Sequence, residues 1–446
     1  MPETLDETYE RILRGINRAQ KDHAHHLLQC LAVAIRPLGV EELAELLAFD
    51  YGASTRGEIP KLKLDWRWED QEEAILSTCS SLITVVHDGD SQVVQFSHFS
   101  VKEYLMSPRL AHSNEDISRF HIHFERAHTI LAQACLGILF RLDGGSGNGN
   151  NGIEGFPLAG YAAQHWVDHA QFENVSLRIR DGKDDLFDLS KPHFAAWLRV
   201  HDMDHHWIDF SSWDSQSSNG SPLYYAAFYG FYDLAERLIV KHPEQVQAVG
   251  GRMLAPLPAA LRMRSFRVAD LLHQYGAFLD IRGEHQRTPL HTASIWGLTD
   301  IVQWLLIHNA DANGRQNSGW TSLHLAAHNN SLEVVQVLLD HNADVNSRTN
   351  FGQSPLSLAV DGNYLDVVRL LLEHGADANT RSRRQQTPLH MASSKGCVEI
   401  ARLLLKYGAN VDGKDEEGMT PFQVTSARGR DEISKWLSEH GPKPEP

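Results

Sequence analysis

The tetrapeptide Thr288-Pro289-Leu290-His291 returns at a fixed interval down the second half of this chain. Thr321-Ser322-Leu323-His324 starts 33 residues later. Ser354-Pro355-Leu356-Ser357, Thr387-Pro388-Leu389-His390 and Thr420-Pro421-Phe422-Gln423 each follow after another 33. Four equal, consecutive intervals do not arise from composition. A period of this length marks stacked helical-hairpin units, none of which can bury its apolar face alone. Stacks of this kind present a long surface rather than a closed pocket. The pattern therefore points to binding before catalysis.

Two further units precede these, at Ser221-Pro222-Leu223-Tyr224 and, 34 residues on, at Ala255-Pro256-Leu257-Pro258, which makes seven in all. Both depart from the common pattern, as terminal repeats do. Within a unit the Pro opens a helix where a missing N–H costs nothing. The Ala326-Ala327 pair lets two helices approach closely. Val334, Val335, Val337, Leu338 and Leu339 supply the buried side of a second helix. Gly375 and Gly408, and Asn309 and Asn342 at the same position, follow that helix and can take left-handed dihedrals. Segments such as Ala343-Asp344-Val345-Asn346 start a turn toward the next unit. This arrangement resembles the ankyrin repeat. The resemblance implies that His291, His324 and His390 bond the backbone of neighbouring turns and hold the stack in register, rather than performing chemistry. His308, His341 and His374 stand near helix ends, where the dipole favours them.

At 446 residues the chain exceeds a single core. Its hydrophobic content of 42% is that of a folded, water-soluble protein. The longest apolar stretches, Leu27 to Ile35 and Ile130 to Phe140, are too short to span a bilayer. The N-terminus lacks the basic and apolar regions of a secretory signal. Cys30, Cys79, Cys135 and Cys397 are far apart and read as buried thiols in a reducing compartment. The expected location is the cytoplasm, with the nucleus as the alternative. A net charge of −16 opposes general nucleic-acid binding.

The first half reads as helices followed by one hairpin. Residues 4–20 form an amphipathic helix, with Thr4 as cap, Glu7 as its capping-box partner, and an apolar face of Leu5, Tyr9, Ile12, Leu13 and Ile16. Further helices are expected from His23 to Ile35, stopped by Pro37, then from Gly39 to Leu47 and from Glu72 to Leu82. Leu82 to Val86 and Gln92 to Phe96 flank His87-Asp88-Gly89-Asp90 as a β-hairpin with an Asp-Gly turn. That succession describes a winged helix. The helix expected from Ser97 follows it.

Leu27 to Leu38 with Val40 to Glu45, and Phe96 to Leu105, resemble the winged-helix segment of fungal NACHT–ankyrin proteins, NLR-like signalling NTPases of the STAND class. Leu5 to Leu13 resembles the helix that joins the NTPase to it. The likeness continues through Ala162-Ala163-Gln164-His165-Trp166 and Lys191 to Leu198. In that family a NACHT ATPase precedes this point. Here Met1 stands at the junction, and the sequence contains no G-x-x-x-x-G-K-[ST]. The expectation is that these residues alone perform no nucleotide switching.

The expected fold is mainly α: a solenoid of about seven ankyrin repeats, preceded by a winged-helix-like α+β domain and a helical connector. The expected divisions are a linker helix at 1–24, a winged-helix-like domain at 25–112, a connector at 113–215 with a mobile glycine-rich loop at 143–155, repeats at 221–441 and a disordered tail at 442–446.

Catalytic, cofactor and metal residues are expected to be none. His201-Asp202-Met203-Asp204-His205-His206 is the densest ligand cluster, and on a helix His201 and His205 would share a face. It is read as a turn in the connector, with a metal-dependent enzyme kept as a remote alternative. No G-x-S-x-G or H-E-x-x-H is present. A DNA-reading helix before the hairpin would carry Glu69, Asp70, Glu72 and Glu73, with Glu41, Glu42 and Glu45 on the helix before it. Those charges would meet phosphates, so DNA is not the expected partner. The likeness to ankyrin repeats implies a protein partner on the concave face and hairpin tips. The positions concerned are Ile295, Trp296, His328, Asn329, Asp361, Ser394 and Lys395, with tip residues Arg315, Arg348, Arg381, Arg383 and Arg384. Trp320 is expected to pack. The function expected is protein recognition within an NLR-like signalling protein. A free-standing ankyrin adaptor is the alternative, and oligomeric state is left open.

Overall fold

The structure, a computed structural model, describes residues 5–51, 58–79, 81–89, 91–142, 155–201, 220–427 and 430–440. Thr4, Asp90, the loop residues 143–154, residues 202–206 of the histidine cluster and the 442–446 tail lie outside them. The chain divides into two compact units. One holds the described residues up to His201 together with Ser221–Pro243, and the other runs from Glu244 onward.

In the first unit, α1 (Leu5–Gly15) carries Asp6 and Glu7 in its first turn and Arg14 in its last, which suits the helix dipole. It buries Tyr9 and Leu13, and the Tyr9 hydroxyl lies 2.7 Å from Ser100 Oγ. Leu5 stays 63% exposed, so the apolar face read from the sequence is only half used. Next, α2 (Lys21–Val33) buries Leu27, Leu28 and Cys30 and ends ahead of Pro37. A short strand β1 (Leu38–Gly39) leads into α3 (Val40–Leu47), where the Gly39 N–H donates to Glu42 Oε2 at 2.8 Å. Two two-residue strands, β2 (Phe49–Asp50) and β3 (Lys61–Leu62), pair before α4 (Gln71–Cys79). The hairpin is β4 (Ile83–Asp88) with β5 (Ser91–Phe96), followed by α5 (Phe99–Leu105). Its pairing continues to Asp88 opposite Ser91, and Gly89 turns with a φ of 61°. The strands thus reach further into the turn than the sequence reading placed them. β1 adds to β5, with Leu38 opposite Val94, to give a three-stranded antiparallel wing.

Two carboxylates expected on the outer face of the winged helix turn inward. Glu42 pairs with Arg36 at 2.5 Å, and Glu45 is buried against Arg67 while accepting from the Leu158 N–H at 2.9 Å. Burial pushes the Glu45 carboxyl up, and these partners offset part of that rise. Glu69, Asp70 and Glu73 remain outside and keep the α4 surface acidic.

The connector supplies α6 (Phe124–Leu139), α7 (Ala159–Ala170), α8 (Arg180–Leu186) and α9 (His193–Val200). These pack with the first repeat's helices, α10 (Pro222–Phe228) and α11 (Tyr232–Lys241). Their shared core is aromatic: Trp166 and Trp197 are fully buried, with Phe187, Tyr225 and Phe231 at ring separations of 5.5–6.2 Å. Trp197 donates its indole N–H to the Ala163 carbonyl at 3.0 Å, which satisfies the one polar atom such a ring brings inside. Gly137 of α6 lets the Phe49 ring approach, since a Cβ there would stand 2.6 Å from it.

The second unit is a stack of helical hairpins. The first helix of each hairpin starts at a Pro or Ser, as at Pro256–Arg262, Pro289–Ile295, Ser322–His328, Pro355–Asp361, Pro388–Lys395 and Pro421–Ala427. From the third repeat onward, each first helix packs on the next first helix, and each second helix on the next second helix. Ala326 and Ala327 are fully buried at such a contact. Gly375, Gly408, Asn309 and Asn342 all take positive φ after the second helix, at 85°, 83°, 68° and 61°. Val334, Val335, Leu338 and Leu339 are buried as expected, but Val337 is half-exposed, because it sits at the margin of the helix's apolar stripe.

Candidate partner-binding face

Most of the polar signature of each repeat is spent inside the stack. The Thr288 N–H donates to His291 Nδ1 at 3.2 Å, which leaves the proton on Nε2, and Nε2 donates to the Trp320 carbonyl of the next repeat at 3.3 Å. His324 repeats this with Thr321 at 3.2 Å and Gln353 at 3.1 Å, and His390 with Thr387 at 3.2 Å and Met419 at 3.0 Å. Each histidine therefore closes its own N-cap and ties the following repeat, 29 residues on. Burial holds the imidazoles below their ordinary range, His324 at about 4. His308, His341 and His374 cap helix C-termini, each with Nδ1 on the carbonyl four residues back at 2.7–3.0 Å.

An asparagine ladder runs parallel. Asn313, Asn346 and Asn379 donate to the carbonyls of Asn342, Gly375 and Gly408 at 2.9–3.3 Å. Their own carbonyls accept from the N–H of Asp344, Asp377 and Asn410 at 2.7–2.8 Å. Both series are architectural, since the atoms they use bond either the repeat's own N-cap or a neighbouring repeat.

What remains outward lies at the ends of the first helices and on the hairpins. Trp296 is 51% exposed, and Ile295 beside it is half-buried. One repeat on, His328 and Asn329 are exposed. Trp320 meets His328 edge-on at 5.4 Å and is half-buried, the packing role expected of it. Asp361 and Lys395, 34 residues apart in successive repeats, pair at 2.9 Å, and Ser394, the position equivalent to Asp361, is half-buried alongside. Ile295, His328, Asp361 and Ser394 fall on one register of the packed first helices, and Trp296, Asn329 and Lys395 on the next.

The hairpin arginines do more in the stack than the sequence reading gave them. Arg315 donates to the Arg348 carbonyl at 2.5 Å, Arg348 to the Gly352 carbonyl at 3.3 Å and Arg381 to the Lys414 carbonyl at 2.9 Å. Arg383 lies over the Phe351 ring at 5.1 Å, and Arg384 stands 3.8 Å from Glu416. The tips thus also brace neighbouring hairpins. Two residues belong with them that sequence reasoning missed. Arg282 donates to the Arg315 carbonyl at 3.0 Å, and Lys414 continues the same 33-residue spacing. That spacing was the signal that could have found both. Phe351, 53% exposed, was also missed.

Residues 223–317 and 307–382 match ankyrin repeats (3 copies), and residues 371–424 match ankyrin repeats (many copies). Residues 9–117 match the winged helix domain of GPI inositol-deacylase. The chain carries ankyrin repeats that follow a winged helix in sequence. It is also similar to the azaphilone pigments biosynthesis cluster protein L of Monascus ruber, at 30% identity over 292 residues. That alignment covers 62% of this chain, and the chain spans about 60% of the length of the curated relative it matches. Ankyrin repeats bind proteins, so the repeats imply a protein partner. Among the described residues no helix is long and apolar enough to cross a membrane. Also among them, no group of three His, Cys, Asp or Glu is placed to hold a metal, and His201 is buried at the end of α9.

Proposed function

We propose that this protein is a non-enzymatic recognition module. It binds a protein partner on the face made by the first-helix ends and hairpins of repeats three to six. The observation that carries this reading is the separation of roles within each repeat. The histidine and asparagine series bind the stack to itself, while Trp296, His328 and Asn329 are exposed at the first-helix ends and Phe351 on a hairpin. Aromatic residues exposed on such a face are the usual anchors of an interface. The wider role that fits the winged helix, the connector and the repeats together is the recognition arm of an NLR-like signalling protein of the fungal NACHT–ankyrin type.

A display library screened against the full chain tests the reading. A selected partner is expected to lose at least about tenfold in affinity to Trp296→Ala with Asn329→Ala, the scale of a hot-spot truncation. A control pair on second helices, Glu333→Ala with Asp366→Ala, is expected to leave binding unchanged. Partners lost by the control pair and kept by the first pair would overturn the assignment of this face.

The free-standing adaptor is a second reading, favoured by the likeness to a protein of a pigment biosynthesis cluster. Under it the same face docks a protein of a biosynthetic system rather than a signalling ligand.

A further inference from the structure

Four arginines at equal spacing, Arg282, Arg315, Arg348 and Arg381, form a single row along the hairpins of an otherwise acidic protein. Arg282, Arg315 and Arg381 each donate to the backbone carbonyl of the next row position, and Arg348 bonds within its own hairpin. A carbonyl carries no net charge, so these bonds fix the guanidinium groups in place without neutralising them. Among the described residues none of the four is in an ion pair within 4 Å. Arg282, Arg315 and Arg348 are exposed and Arg381 is half-exposed. Lys414 would be a fifth member, but Glu416 and Glu417 flank it and weaken that end of the row.

The row repeats once per unit, and successive first helices are in direct contact. Packed helices lie about 8–10 Å apart, which sets the step between cations. An extended polyproline II segment advances about 9.3 Å every three residues and completes one turn in doing so. Residues three apart in such a segment therefore fall on one side, at the step of the row. We propose that the row is a binding rail for an extended partner segment bearing an acidic residue at every third position. Fixed guanidiniums match carboxylates with little further loss of side-chain freedom, and the planar fork suits a carboxylate better than a lysine would. The inference rests on the reading that this solenoid binds protein, and it names the chemistry of the partner.

The test uses the full chain and two fluorescent 18-residue peptides of equal composition. One is (Pro-Pro-Glu)6, and the other carries its six glutamates in one block. Anisotropy titration at low salt is expected to show the periodic peptide binding about tenfold more tightly, with the difference shrinking as salt is raised. Arg315→Gln with Arg348→Gln is expected to abolish the preference. Arg315→Lys with Arg348→Lys, which loses the planar guanidinium fork but keeps the charge, is expected to retain part of it. This pair separates lost charge from a disturbed fold. Equal binding of the two peptides overturns the proposal, as does a preference that survives the glutamine pair. Tighter binding of an oligothymidylate than of the periodic peptide also overturns it. If the peptides fail while a library partner still depends on Trp296, the rail is wrong and the protein-binding reading stands.

Discussion

The Nζ of Lys183 lies 3.2 Å from both carboxylate oxygens of Asp233, and the lysine side chain is wholly buried. Lys183 comes from the connector and Asp233 from the first repeat, so the pair fastens those two segments within one unit. Burial pulls the ammonium down from its ordinary range, Asp233 opposes that shift, and the Phe231 ring lies 4.9 Å away. Removing one partner of a buried pair strands the other. Asp233→Ala is expected to cost about 3 kcal/mol, the low end of the usual range because Asp233 keeps some solvent contact. Lys183→Met should cost less, since it leaves no buried charge. Urea unfolding followed by tryptophan fluorescence checks both, and a loss below about 1 kcal/mol for Asp233→Ala would mean that the pair behaves as a surface bridge.

His324→Gln separates the two jobs of the repeat histidine. Gln423 shows that a glutamine can close the N-cap, accepting from the Thr420 N–H at 2.9 Å. The variant should keep the cap and lose the bond to the Gln353 carbonyl. The expected cost is about 1 kcal/mol, that of a single hydrogen bond. His324→Ala should cost more, because the cap goes too. Equal losses for the two variants would show that the bond between repeats contributes nothing.

Acid should weaken both units. His169 is held down to about 3, first by burial and then by the neighbouring His128 and His165. Its Nε2 lies 2.8 Å from the Tyr161 hydroxyl and its Nδ1 2.8 Å from His128 Nδ1. His324 is held down to about 4, mainly by burial. The folded state therefore binds fewer protons than the unfolded chain, whose histidines titrate near 6.5. This stability is complete above that value and falls as pH drops from 6.5 toward 3–4, by up to about 1.4 kcal/mol per unit for each group. Chemical unfolding at a series of pH values reads the slope. His169→Phe should flatten it in the first unit, even though the variant starts less stable.

Gly137→Ala should destabilise the first unit by about 1–3 kcal/mol, the cost of overpacking. The added methyl would meet the Phe49 ring at 2.6 Å and the Pro60 carbonyl at 3.3 Å. Phe49→Leu in the same background should recover part of the loss. A thermal midpoint unchanged by Gly137→Ala alone would show that Phe49 moves aside without cost.

What could be read in advance was whatever repeats or alternates. The 33-residue interval gave the helix pairs and the caps, and the resemblance to ankyrin repeats implied the roles of His291, His324 and His390. The β4–β5 hairpin was legible from its flanking β-branched runs and its Asp-Gly turn. The two-residue strand Leu38–Gly39 was not, since it exists only through pairing with Val93 and Val94, about 55 residues away. Lys183 and Glu45 ran against expectation for the same reason. Charged residues are normally outside, and only partners distant in sequence, Asp233 and Arg67, make their burial tolerable. On the candidate face, exposure was legible at Trp296 and Asn329, which lie at helix ends. The bracing by Arg315 and Arg381 was hidden, because a long side chain can reach a backbone carbonyl that its own sequence context does not reveal.

The bonds from the repeat histidines all point toward the C-terminus, the direction in which the chain is synthesised. His291 waits for Trp320, His324 for Gln353 and His390 for Met419. A nascent chain paused between two of these repeats thus holds one imidazole N–H whose carbonyl has not yet been made. The next hairpin supplies it, so each of these three units is completed by the one after it. Gln423 bonds within its own turn, as Ser357 does in the middle of the stack, and neither residue needs a carbonyl from a later hairpin.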